Sequence, residues 1–61
     1  MKVYFKTKKG NEMRFENVTK LRCSIYKMFP NRPLINLGLI DLIELAYGEI
    51  DKCVINKVRV K

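Results

Sequence analysis

A chain of 61 residues has room for one small domain, residues 1–61, and for no second core. Thirteen Lys and Arg against six Asp and Glu give a net charge of +7, which favours an acidic partner such as nucleic acid, an anionic surface or an acidic protein. The absence of His removes the usual neutral-pH proton shuttle and any Ser or Cys dyad with an imidazole, and two Cys without His cannot complete a structural zinc site from one chain.

The first element is a strand: Val3, Phe5 and Thr7 alternate with Lys2, Tyr4, Lys6 and Lys8. Met13 and Phe15 alternate with Glu12, Arg14 and Glu16 in a second, and Lys8-Lys9-Gly10-Asn11 between them is a turn signal. Cross-strand partners must share a face, and that condition fixes the register. A two-residue loop would set Lys6 or Lys8 opposite Met13. A three-residue loop of Lys8, Lys9 and Gly10 instead pairs Thr7 with Asn11, Phe5 with Met13 and Val3 with Phe15. The other face then carries Lys6 by Glu12, Tyr4 by Arg14 and Lys2 by Glu16.

After a bend at Asn17-Val18-Thr19, the alternation of Leu21, Cys23 and Ile25 with Lys20, Arg22, Ser24 and Tyr26 predicts a third strand. Pro30 and Pro33 then interrupt regular structure. From Leu34 to Gly48 alternation fails and a helix fits better, with Leu37, Asp41, Glu44 and Gly48 in one sector. Asn36 is the expected cap and Gly48 the expected stop, while a fully buried strand pair is the alternative. Residues 49–54 read as one further helical turn with Ile50 and Val54 inward. The alternation of Lys57, Arg59 and Lys61 with Val58 and Val60 predicts a closing strand. The fold class is therefore α+β and β-rich: a small antiparallel sheet from a β-hairpin plus third strand, one apolar helix and a C-terminal strand, in the order β-β-β-α-β.

Charge is segregated along this order. Residues 1–33 carry +7, residues 34–51 carry −4 and residues 52–61 carry +4. The most apolar stretch, Leu34 to Tyr47, is too short to span a bilayer and includes Asp41 and Glu44. No signal peptide is visible, so the expected location is cytoplasmic, with Cys23 and Cys53 as reduced, semi-buried thiols. Asp41 with Glu44, and Glu49 with Asp51, read as solvated carboxylates rather than an acid–base pair. Gly10, Gly38 and Gly48 are too scattered for a phosphate-binding loop. The expectation is a protein that is not an enzyme, with no catalytic residue, cofactor, metal or small-molecule substrate.

Two surfaces are candidates for binding. Basic residues interleaved with tyrosines on the polar sheet face suit single-stranded nucleic acid, with cations neutralising phosphates and rings stacking on bases. Tyr4, Lys6, Arg14, Arg22 and Arg59 lead that set. The apolar arc of the helix spans roughly 220°, more than one sheet covers, and its excess around Ile40, Leu45 and Tyr47 is a candidate protein interface. So small a core also favours self-association or a partner.

The Lys-rich hairpin running into Phe15-Glu16-Asn17-Val18, with heavy use of Lys, Asn and Ile, resembles short reading frames of phages and mobile elements in AT-rich bacteria. That resemblance implies modulation of a host protein or binding of nucleic acid. The leading expectation is thus a non-catalytic binding module acting on a host or partner protein. A nucleic-acid-binding module using the basic sheet face is the alternative, and a structural subunit of a larger assembly is the third.

Overall fold

The computed structural model of the chain describes residues 2–61. It is an α+β fold of two layers, an antiparallel sheet and a pair of helices. The elements are β1 (Val3–Thr7), β2 (Glu12–Phe15), α1 (Val18–Met28), α2 (Leu39–Tyr47), β3 (Ile50–Ile55) and β4 (Val58–Arg59). The sheet order is β2-β1-β3-β4, so the first strand in the chain is central in the sheet.

The hairpin register follows the face rule. Val3 pairs with Phe15, Tyr4 with Arg14, Phe5 with Met13 and Lys6 with Glu12. The loop closes as the three-residue count requires: Thr7 N–H donates to the Asn11 carbonyl at 2.9 Å and Gly10 N–H to the Thr7 carbonyl at 3.0 Å. Gly10 takes φ +93°, a conformation that L side chains rarely adopt. Thr7 is buried, and its hydroxyl accepts the Asn11 N–H at 3.1 Å, which removes the cost of an unpaired polar group.

The expected third strand is a helix. Leu21 and Ile25 are fully buried whereas Cys23 between them is exposed, which is the i, i+4 spacing of a helical stripe. Asn17 caps α1 by accepting the Lys20 N–H at 2.8 Å, so the expected bend is a helix start. Cys23 is accordingly not semi-buried; Cys53 in β3 is fully buried. α2 occupies part of the expected helix, but its N-cap is Gly38 rather than Asn36. Gly48 ends it at φ +94°, with its N–H on the Glu44 carbonyl.

The turn expected at residues 49–54 is strand β3, because Gly48 redirects the chain into Ile50 without a further helical turn. β3 hides its alternation behind a β-bulge. Lys6 pairs with Lys52 and Thr7 with Ile50, leaving Asp51 as the extra residue. The closing strand is present but short, and Val58 and Arg59 pair back onto Ile55 and Val54. The element order is therefore β-β-α-α-β-β, with the antiparallel sheet and hairpin as expected.

Both helices cover one face of the sheet. Val3, Phe5, Ile50 and Cys53 meet Leu21, Ile25, Leu34, Leu42 and Ile43 in one buried cluster. Phe5 lies at its centre, stacked on Phe15 at 6.2 Å between ring centroids and tilted against Tyr47 at 5.3 Å. Leu34 pins the Pro-containing connection between the helices into this core. No helix among the described residues is long and apolar enough to cross a membrane.

Candidate nucleic-acid interface

With the helices on one side, the opposite face of the sheet is open. Its occupants follow from the pairing: Tyr4 lies between Arg14 and Val54, Lys6 between Glu12 and Lys52, and Arg59 beside Val54. Lys2 and Lys57 stand at the end of the face where β1 begins. Of the residues singled out from sequence, Tyr4, Lys6, Arg14 and Arg59 are brought together here. Arg22 is not. It lies on α1, in the helical layer, where its guanidinium donates to the Tyr26 hydroxyl at 3.3 Å. Lys20 and Tyr26 leave the sheet face for the same reason.

Three of the carboxylates are paired with lysines outside this set. Glu16, expected beside Lys2, pairs with Lys20 one helical turn on. Glu49 pairs with Lys8 at 3.5 Å, and Glu44 with Lys61 at 2.8 Å. Glu12 does lie on the open face, but it accepts the Tyr4 hydroxyl at 3.1 Å rather than pairing with Lys6. Among the described residues, Lys2, Lys6, Arg14, Lys52 and Lys57 make no ion pair with a carboxylate, and the Arg59 guanidinium donates to the Lys61 main-chain oxygen at 2.9 Å. Lys6 and Lys52 are moreover direct cross-strand partners, a like-charge juxtaposition that costs on the order of 0.2–1 kcal/mol.

Tyr4 is the aromatic centre of the face. The Arg14 guanidinium stands over its ring at 5.0 Å, a cation–π contact. Partial desolvation and then the bond to Glu12 raise the Tyr4 hydroxyl above its ordinary pKa, so it remains a protonated donor throughout the neutral range. Beside it is a shallow depression of about 230 Å³, lined by Lys2, Val3, Tyr4, Arg14, Phe15, Val54 and Lys57. That is smaller than the roughly 300–1,000 Å³ clefts that enclose drug-sized ligands. Its lining combines apolar groups with a rim of cations.

Sequence reasoning missed Lys52 and Val54, because the bulge at Asp51 breaks the period-2 pattern that would have marked them. The order Lys52-Cys53-Val54-Ile55, read alone, does alternate correctly.

The second candidate surface is largely covered. Ile40 and Tyr47 are half-buried against the core, and of the three residues only Leu45 is exposed. α1 packs on α2, and Tyr47 lies against Phe5 of the sheet. No protein-family model matches the chain, and neither a curated protein nor a solved structure matches it.

Proposed function

We propose that the protein is a non-catalytic nucleic-acid-binding module that takes phosphates on the open face of its sheet. The observation that carries this reading is the gathering of Lys2, Lys6, Arg14, Lys52 and Lys57 there without carboxylate partners among the described residues, with Arg59 beside them. Lys6 and Lys52 repel one another in the free protein, and an anion between them converts that cost into attraction. The reading directed at a protein target draws on the small size of the domain and on the apolar excess of α2, of which Ile40 and Tyr47 are half-buried against the core and Leu45 is exposed.

The test is the salt dependence of binding to a labelled, mixed-sequence single-stranded oligonucleotide, followed by fluorescence anisotropy. If each of the six cations neutralises one phosphate, log affinity falls with log salt at a slope of about −4. Lys6→Gln or Arg14→Gln reduces that slope by about 0.7, whereas Lys27→Gln on the exposed side of α1 leaves it unchanged. Absence of binding at low salt, or equal effects of Lys6→Gln and Lys27→Gln, overturns the proposal.

A further inference from the structure

The β3–β4 connection is a two-residue turn, Asn56-Lys57, with φ +50° and +67°. Positive φ at both central positions is the type I′ pattern, whose favoured second residue is Gly. Asn tolerates the left-handed region, but Lys has no local reason to occupy it. Gly at position 57 would relieve the backbone, so Lys57 is placed there at a conformational cost. The turn is also held in position: Asn56 N–H donates to the Lys2 carbonyl at 2.9 Å, which fixes Lys57 and Lys2 at the same end of the sheet. Both line the depression beside Tyr4.

We infer that this depression seats one unstacked nucleobase of a single strand, with Lys57 and Lys2 holding the phosphates on either side. The inference rests on the nucleic-acid reading above and narrows it. The depression has room for a single planar ring, and Tyr4, Val54 and the Arg14 guanidinium supply the surfaces on which a base stacks. A duplex keeps its bases in the stack and offers only phosphates to the rim, so the seat discriminates in favour of single strands.

The experiment compares a single-stranded oligothymidylate with a duplex of equal length at low salt, for the unsubstituted chain and three variants. The single strand binds at least several-fold more tightly than the duplex. Tyr4→Leu lowers single-strand affinity by roughly 5–150-fold, the value of about 1–3 kcal/mol per stacked base, and leaves duplex affinity within about twofold. Tyr4→Phe, which keeps the ring and loses only the bond to Glu12, retains single-strand binding. Lys57→Gly weakens single-strand binding and reduces its salt slope by about 0.7, while its melting temperature equals or exceeds that of the unsubstituted chain. Equal affinity for the two oligonucleotides, or equal loss of both in Tyr4→Leu, overturns the base seat and leaves the phosphate-binding face standing. A Lys57→Gly protein that melts earlier or binds normally overturns the role of Lys57. If neither oligonucleotide binds, both proposals fall.

Discussion

Lys52 is the residue at which the proposed phosphate binding and the stability of the fold pull in opposite directions. It stands directly across from Lys6, and neither lysine makes an ion pair with a carboxylate among the described residues. Lys52→Glu replaces repulsion with a cross-strand pair, so the variant should gain up to about 1 kcal/mol of stability. In a domain of this size that is a melting-temperature rise of a few degrees, within the roughly 4–8 °C per kcal/mol expected. The same change should weaken oligonucleotide binding, since one phosphate site becomes a repulsive carboxylate. Thermal melts and anisotropy titrations of one variant therefore move in opposite directions. A Lys52→Glu protein that melts lower than its parent would show that the Lys6–Lys52 juxtaposition is not a cost.

At the scale of elements, the contrast between α1 and the hairpin explains what was legible in the sequence. In the hairpin, two alternating segments and a glycine turn constrain each other, and only one loop length keeps Phe5, Met13, Val3 and Phe15 on one face. The register could be derived because a wrong choice buries lysine. α1 offered no such cross-check: Leu21, Cys23 and Ile25 satisfy a period of two, and Leu21 with Ile25 also satisfies i, i+4. The deciding residue is Asn17, whose side chain caps the helix, followed by a stripe of Val18, Leu21 and Ile25. Tertiary packing settles the matter, since α2 needs a second helical neighbour for its apolar arc. Substitution separates the two readings in solution. Ile25→Ala should cost about 2–5 kcal/mol, a large part of the stability of a domain this small, while Cys23→Ala should be close to neutral. Chemical denaturation of the two variants measures both. On the open sheet face, the positions of Tyr4, Lys6 and Arg14 follow from that same hairpin logic. Arg22 was misplaced along with its element.

Over the whole molecule, the C-terminal end is tied back to the helical layer. Glu44 on α2 accepts the Lys61 ammonium at 2.8 Å and the Ile50 N–H at 3.1 Å. The bond from Lys61, then that from Ile50, holds the Glu44 carboxyl below its ordinary pKa, and Glu44 in turn raises Lys61. A lowered carboxylate contributes stability that is present above its ordinary value and lost as pH falls through the lowered one. A raised lysine contributes below its ordinary value and loses that contribution as pH rises through the raised one. Glu44→Gln should therefore lower the melting temperature at neutral pH, with the difference vanishing in strong acid; a difference that persists in acid excludes the ion pair as its source. The central position of β1 has a further consequence. Its hairpin partner follows within a few residues, but its other neighbour, β3, comes only after both helices. A chain made as far as α2 already holds both helices that cover Phe5 yet leaves one edge of β1 without a strand to pair with, so closure of the sheet waits on β3.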